Sequence, residues 1–371
     1  MSLPPGARIG ILGGGQLGRI SAMAAARLGY RVHVFAPEAD GPAMHVAAAR
    51  SVAPYEDAEA LAAFAAAVDV VTFEFENVPA TALAVLAGRI TCRPGVEVLA
   101  TCQDRLAEKA FLQRIGVPVA PFAAVAEEAD LPAALAAVGL PAVLKTTRLG
   151  YDGRGQAVVR SPEEAREALQ RLAPAPFILE AFVPFAAEVS ALVARGADGR
   201  SVAYEITENR HRHHILDLSL APARIPPEVA EAARRYALAV AEGLGLVGVA
   251  AVEFFLLPEG RLLGNEIAPR PHNSFHWTIE ACRLSQFEAH IRAVAGLPLF
   301  DPGRHHDAAM RNLIGHEGMA LVPALLADPE WSVHLYGKAE ARPGRKMGHA
   351  TRLWPKGALP AAADWPEAAA I

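Results

Sequence analysis

The sequence predicts a protein of α/β and α+β class assembled from two or three domains. Three observations carry that expectation. At 371 residues the chain exceeds one ordinary core. Strand and helix signals alternate up to about residue 100, as in a doubly wound parallel sheet. Beyond that point apolar strands, a glycine-rich turn and isolated helices read as α+β.

The first strand is "RIGIL", followed by the turn in "GILGGGQLGR", where Gly13, Gly15 and Gly18 have the spacing of a dinucleotide-binding loop. "LGRISAMAAARLGY" continues as a helix and "RVHVF" as the second strand. Glu38 and Asp40 then stand where a carboxylate would meet an adenosine ribose. Taken alone, this supports an NAD-dependent oxidoreductase, but the same turn serves any fold that brings backbone near a phosphate. A helix near "DAEALAAFAAAV" and a strand in "DVVTFEFENV" complete the first domain, 1–104.

"QDRLAEKAFLQRIGVPVAPF" reads as a helix, a stop at Gly116 and a proline-flanked strand, and opens a second unit at 105–180. Within it, "PAVLKTTRLGYDGRGQAVV" and "FILEAF" flank a helix around "SPEEAREALQRL". A third unit, 181–298, holds the long helix "PPEVAEAARRYALAVAEGLGL" and two strands, "VAAVEFFLL" and "RLLGNEI". After Pro298 the apolar pattern is short and punctuated by Pro and Gly, which predicts a small β-rich tail, 299–371.

Composition narrows the function. With 52% hydrophobic and 20% charged residues, the chain reads as a soluble globular protein. A net charge of -5 and no basic stripe argue against nucleic-acid binding. No uncharged apolar run of about 18 residues and no leader pattern point to a membrane. Cys92, Cys102 and Cys282 lie too far apart for a zinc site or a disulfide framework, so a reducing cytoplasm is expected.

Three segments carry chemistry. In "EFFLLPEGRLLGNE" a two-residue turn at Glu259-Gly260 would pair Leu256 with Leu263, Phe254 with Asn265, and Glu253 with Glu266. Opposed carboxylates about 4.5 to 5.5 Å apart at Cβ repel, and a divalent cation, magnesium by its hard oxygen ligands, would compensate them. A one-residue slip or a bulge would instead separate them. In "KTTRLGYDGRGQ", Gly150, Gly153 and Gly155 free backbone N–H groups for phosphates, and Lys145 supplies a charge. The lysine precedes the glycines, opposite to a Walker loop. "NEIAPRPHNSFHW" places Arg270, His272, Asn273 and Ser274 after a carboxylate-bearing strand, as a binding loop or as a helix cap. "HRHH", His211 to His214, reads as a solvated cluster rather than a metal tract.

"LKTTRLGYDGRGQ", "ILEAFVPFAAEVS", and "VEFF" with "GNEIAPRPHNS" resemble the ATP-grasp enzymes. "GGGQLGR", "FEFENVP", "APRPHNSFHWT", "SQFEAH" and "RPGRKMGH" further resemble the N5-carboxyaminoimidazole ribonucleotide synthase family, from about residue 8 to residue 350. That resemblance implies an ATP-grasp fold, with 105–180 as its lid subdomain and 181–298 as its central antiparallel-sheet, metal-binding domain. It also implies ATP-dependent carboxylation of 5-aminoimidazole ribonucleotide by bicarbonate through carboxyphosphate, with Mg2+, in purine biosynthesis, by a cytoplasmic homodimer.

By motif, Arg105, Lys145, Gly150, Tyr151, Asp152, Gly153, Arg154, Gly155, Gln156, Glu180, Ala181, Phe182, Val183, Glu188, His211, Asn265 and Glu266 would surround ATP. Glu253 and Glu266 would hold magnesium. Gly15, Gln16, Leu17, Glu74, Tyr151, Asp152, Arg154, Arg270, His272, Asn273, Ser274 and Lys346 would bind the aminoimidazole nucleotide or the bicarbonate-derived group. Among these, Tyr151, Asp152, Arg154, Arg270, His272 and Lys346 would act in catalysis. Without the resemblance, Glu74 and Glu76 read as the wet face of an edge strand. Ala268 stands where many ATP-grasp enzymes carry an amide, so no third protein ligand to the cation is expected. Another amine carboxylase or formyltransferase of the same fold, and a nucleotide sensor, are the alternatives beside the oxidoreductase.

Overall fold

The structure, a computed structural model, describes residues 2–150, 153–173 and 176–361. Its first domain is a four-stranded parallel sheet of β1 (Arg8–Leu12), β2 (Arg31–Ala36), β3 (Ala49–Val52) and β4 (Val70–Phe73), in the order β3-β2-β1-β4. β1 and β2 are almost continuously buried, as expected where helices cover both faces of a parallel sheet. The first helix, Gln16–Arg27, leaves the glycine turn at the carboxyl end of β1, and Glu74 and Glu76 follow the carboxyl end of neighbouring β4. Carboxyl ends of parallel strands are where such sheets bind ligands.

The lid is an antiparallel sheet of β5 (Phe122–Val125), β6 (Ala142–Thr146), β7 (Gln156–Val159) and β8 (Phe177–Ala181), in the order β5-β8-β6-β7. Helices Leu131–Val138 and Pro162–Leu172 cover it, burying Leu131, Ala134, Ala165 and Ala168 against Leu144, Val159 and Leu179. Ser161 caps the second helix by accepting from the Glu164 N–H at 3.2 Å, and Glu163 and Glu164 in its first turn suit the helix dipole. The β6–β7 hairpin carries the glycine-rich loop over the cleft.

The helix Arg105–Arg114, expected in the lid, belongs to the central core. Its Phe111 and Leu112 pack in one cluster with Val189, Val252 and Ile267. The lid sheet therefore starts only at β5, after the chain has left that core.

The central sheet comprises β9 (Ala187–Arg195), β10 (Ser201–Ala203), β11 (Thr207–Arg212), β12 (Ile215–Ala221), β13 (Gly248–Leu256), β14 (Leu262–Ala268), β15 (His306–Ile314), β16 (Trp331–Leu335) and β17 (Lys346–Pro355). Its order is β14-β13-β9-β11-β12-β15-β17-β16, with β10 paired to β9. The small β-rich C-terminal unit holds β15 to β17 around a helix, Gly315–Ala327, and its strands continue the central sheet, β15 pairing with β12 with Leu218 opposite Arg311.

Alternate residues of β9 and β13 face two layers. Val189, Val193, Ala250 and Val252 meet the helix Pro227–Gly243, whereas Leu192, Ala194, Val249 and Ala251 meet Phe275, Trp277 and Ala289. The helix Gln286–Ala295 is buried nearly all round because its other side, Ile291, Val294 and Ala295, packs on the parallel sheet. His290 Nε2 lies 2.8 Å from Thr72 Oγ1 on β4, which ties the two sheets together. Among the described residues no helix is long and apolar enough to cross a membrane.

Candidate active site

A cleft of about 1330 Å3 opens between the three parts, with β13 and β14 as floor, the lid hairpin as roof and the glycine turn at its far end. The floor depends on the β13–β14 register. The turn is longer than two residues: the Leu257 N–H donates to the Arg261 carbonyl at 2.9 Å, and Leu256 pairs with Leu262 rather than Leu263. A bulge at Asn265 absorbs the resulting one-residue slip, so Glu253 still faces Glu266. Slip and bulge, each able to part the carboxylates, cancel.

Gly264 fixes the bulge. Its N–H donates to the Pro118 carbonyl at 2.7 Å, and a Cβ there would stand 3.2 Å from both Leu112 and Val117. Asn265 and Glu266, adjacent in sequence, both line the cleft.

This floor suits a cation. Burial, and then the Glu266 charge, pushes the Glu253 carboxyl up to about 8, with His211 opposing. Asn265 Oδ1 is buried without a hydrogen-bond partner. His272 Nε2 lies 3.6 Å from Glu253 Oε1, and an Arg105 guanidinium nitrogen lies 3.5 Å from Glu266 Oε2. Among the described residues no three His, Cys, Asp or Glu side chains form a metal cage. Two carboxylates with open positions fit magnesium, which keeps waters and takes phosphate oxygens.

Beside the floor lies a buried charge cluster. Lys145 Nζ on β6 lies 3.1 Å from Glu180 Oε1 on β8, and Lys109 Nζ lies 3.2 Å from Glu180 Oε2 while donating to the Gly264 carbonyl at 3.1 Å. Lys109, only 1% exposed, therefore joins lid and floor. Glu108 accepts from the Ile267 N–H at 2.6 Å, and its carboxyl is pushed up to about 8, chiefly by burial. Burial also acts to raise Glu180, but Lys109, Lys145 and Arg105 outweigh it and hold the carboxyl down to about 2.

This depressed value has a stability consequence. The folded-state value of Glu180 lies below its ordinary 4.5, so the stabilisation is present above pH 4.5 and is lost as pH falls toward 2. The loss should be on the order of 3 kcal/mol. Denaturant unfolding between pH 5 and 2.5 checks this: Glu180→Gln, less stable than wild type at pH 7, should lose less across that window.

At the far end, Arg270 forms a bidentate pair with Glu76, its second guanidinium nitrogen donating to Glu76 Oε1 at 3.1 Å. Glu74 accepts from the N–H groups of Gly15 and Gly18, the latter at 2.7 Å. Neither glutamate is the wet face of a strand; both line the cleft. The dinucleotide reading of the turn fails here, because the position of a pyrophosphate is taken by Glu74. Asp40 pairs with His45 at 2.6 Å.

His211 Nδ1 lies 2.7 Å from Glu188 Oε2, and this contact raises the His211 value although burial opposes it. "HRHH" is the end of β11 and the turn into β12, not a metal tract. Phe185 and Phe255 stack with centroids 4.8 Å apart and form an apolar wall.

Of the residues expected at the site, Gly15, Gln16, Leu17, Glu74, Arg105, Lys145, Gly150, Gly153, Arg154 and Gln156 line this cleft. So do Glu180, Ala181, Phe182, Val183, Glu188, His211, Glu253, Asn265, Glu266, Arg270, His272, Asn273 and Lys346. Ser274 is buried behind it, 2.6 Å from His272 Nδ1, and so supports the ring rather than facing a ligand. Gly155 shapes the loop: its φ is +71°, and its carbonyl accepts from the Thr146 N–H at 2.8 Å. Tyr151 and Asp152 lie outside the described residues.

Lys109, Glu108 and Glu76 were not expected at the site. A signal existed for the first two: at i+3 and i+4 from Arg105 they share its helix face.

The chain matches three family models in order: a ribonucleotide synthetase preATP-grasp domain over residues 7–103, an ATP-grasp domain over 110–287, and a phosphoribosylaminoimidazole carboxylase C-terminal domain over 308–357. It is 50% identical to the N5-carboxyaminoimidazole ribonucleotide synthase of Brucella melitensis, covering 96% of this chain and 98% of that one. A solved ADP complex of an N5-carboxyaminoimidazole ribonucleotide synthetase is 41% identical and superposes with a TM-score of 0.91 over 95% of this chain and 94% of that one. The synthase of Aspergillus clavatus, solved with ADP and 5-aminoimidazole ribonucleotide, is 33% identical with a TM-score of 0.88, over 94% of each chain. Identity at this level over nearly the full length of both partners, on a shared ATP-grasp fold, leaves no domain unaccounted for: the chain belongs to the N5-carboxyaminoimidazole ribonucleotide synthase family.

Proposed function

We propose that ATP lies between the lid hairpin and the β13–β14 floor, that 5-aminoimidazole ribonucleotide enters at the glycine-turn end, and that bicarbonate meets the γ-phosphate between them. The chain is an ATP-dependent carbon-nitrogen ligase of purine biosynthesis. The observation that supports this reading is one continuous cleft, lined both by Lys145, Glu180 and the opposed carboxylates and by the glycine turn, Arg270 and Lys346.

A bicarbonate oxygen attacks the γ-phosphorus and ADP leaves, forming carboxyphosphate. The exocyclic amine of the nucleotide attacks the carboxyl carbon, phosphate departs with one oxygen from bicarbonate, and it takes the amine proton. No protein nucleophile is needed, so positioning and charge dominate. Lys145 and Arg105 face the phosphates, and the lid loop covers them. Glu253 and Glu266, with the Asn265 amide oxygen beside them, would hold Mg2+, which supplies charge neutralisation to the phosphate oxygens when bound.

Glu76 fixes the Arg270 guanidinium against the acceptor end. His272 is held well below the usual histidine range by burial and then by Arg270 and Lys346, so it stays neutral beside the reacting groups. A cytoplasmic homodimer completes the proposal.

The test is ADP release from the purified chain with bicarbonate and a panel of amine nucleotides. Release should require magnesium and 5-aminoimidazole ribonucleotide, rise with bicarbonate and ignore NAD. Preference for another amine nucleotide would reassign the acceptor, and NAD reduction without ATP turnover would overturn the ligase. Lys346→Met should raise the KM for the aminoimidazole nucleotide by the equivalent of about 1.5 to 3 kcal/mol, with ATP binding little changed. A lower melting temperature with unchanged KM would make Lys346 a structural residue.

A further inference from the structure

The glycine turn after β1 has an occupant belonging to the chain itself. A helix N-terminus preceded by such a turn offers unpaired N–H groups and a positive dipole end, which ordinarily attract a phosphate. Here both oxygens of Glu74 are seated on it, one on the Gly15 N–H and one on the Gly18 N–H at 2.7 Å. Burial raises the Glu74 carboxyl above its ordinary value, and the Gly18 and Gly15 N–H groups, then Arg270 and Lys338, oppose that rise.

The glycines fit this carboxylate. A Cβ built at Gly15 would have three Glu74 carboxylate atoms as its nearest neighbours, the closest at 2.5 Å, and the nearest atoms to one at Gly13 also belong to Glu74. At Gly18 a Cβ would stand 3.2 Å from Glu74 Oε2, beside equally close backbone and Ala43 atoms. Gly15 has a φ of -82°, which any residue adopts, so its lack of a side chain answers to space alone. The spacing that reads as a cofactor fingerprint is thus explained by an internal glutamate approaching the backbone.

We infer that Glu74 is the built-in anion of the glycine turn, a specificity-determining residue that takes the N–H groups a phosphate would use and closes the turn itself to phosphate groups. A ligand entering there presents an uncharged face, and its phosphate must find cationic side chains elsewhere. This contact lies within the chain itself and holds whichever nucleotide the enzyme takes.

Two readouts, both without substrate or turnover, test it separately from the ligase reading. The first is a double-mutant cycle by denaturant unfolding of the full chain. Gly15→Ala should be clearly destabilising in wild type, where the new methyl meets a held carboxylate, and should cost much less in Glu74→Ala. The second uses [15N]glycine-labelled protein titrated with inorganic phosphate at constant ionic strength. The Gly15 and Gly18 amide signals should shift saturably at millimolar phosphate in Glu74→Ala and stay in place in wild type.

Equal cost of Gly15→Ala in both backgrounds would overturn the proposal. So would wild-type signals that move as far as the variant's, or variant signals that do not move. Should Glu74→Ala fail to fold, Glu74→Asp withdraws the carboxylate by one methylene, and the cost of Gly15→Ala must then shrink. An unchanged cost in that background contradicts the inference.

Discussion

Glu266→Gln is expected to lower kcat by about 10²- to 10⁴-fold while the chain still folds. The substitution keeps the shape of the side chain and removes one anionic oxygen ligand from the floor, where metal-assisted charge neutralisation supplies several kcal/mol. Glu253→Gln should act similarly. Because the two carboxylates face each other across one strand pair, the double variant should cost far less than the sum of the single losses. Additive losses would assign them separate roles. Burial and then the Glu266 charge raise the Glu253 carboxyl well above its ordinary 4.5, so the metal-free chain loses stability as pH rises from that value toward neutrality. Glu266→Gln removes the repulsive part of that cost, so a gain in metal-free stability should build as pH rises from 5 and level off above about pH 8, and unfolding of variant and wild type across pH 5 to 8.5 would detect it.

Lys109→Met should be the most destabilising change near the site, by about 3 kcal/mol. Its ammonium is buried between Glu180 and the Gly264 carbonyl, so its loss removes one of the two lysines that pair with Glu180 among the described residues, and one donor to that carbonyl. ATP affinity should fall as well, since the same lysine joins the lid sheet to the floor. Adding Glu180→Gln should restore part of the stability, because the uncompensated charge is then gone. Denaturant unfolding of the two variants and ATP titration by calorimetry measure both effects. A loss below 1 kcal/mol, with ATP affinity intact, would reduce Lys109 to a passive filler.

The parallel sheet was legible because each strand and its following helix are neighbours in sequence, so periodicity and the glycine turn define them locally. The lid hairpin was legible for the same reason. The pairing of β12 with β15 was not, since the partners are separated by most of the third unit and nothing in β15 alone names its neighbour. The placement of helix Arg105–Arg114 was missed because its buried face carries Arg105, Glu108 and Lys109, charges that pattern reading assigns to solvent.

At the floor, Glu253 was correctly set opposite Glu266 although the turn was wrong; a bulge pinned by Gly264 and Pro118 is a tertiary event with no local mark. The glycine turn illustrates the opposite difficulty. Its spacing announces a close approach to backbone, but what approaches is a side chain some sixty residues away, Glu74.

In the proposed route this cleft activates bicarbonate with ATP before the amine attacks. Turnover of 18O-labelled bicarbonate with ATP, Mg2+ and 5-aminoimidazole ribonucleotide, followed by mass analysis of the released phosphate, tests it most directly. One bicarbonate oxygen should appear in each phosphate, with ADP and the N-carboxylated nucleotide formed in equal amounts. Unlabelled phosphate accompanying the same product would contradict a carboxyphosphate route.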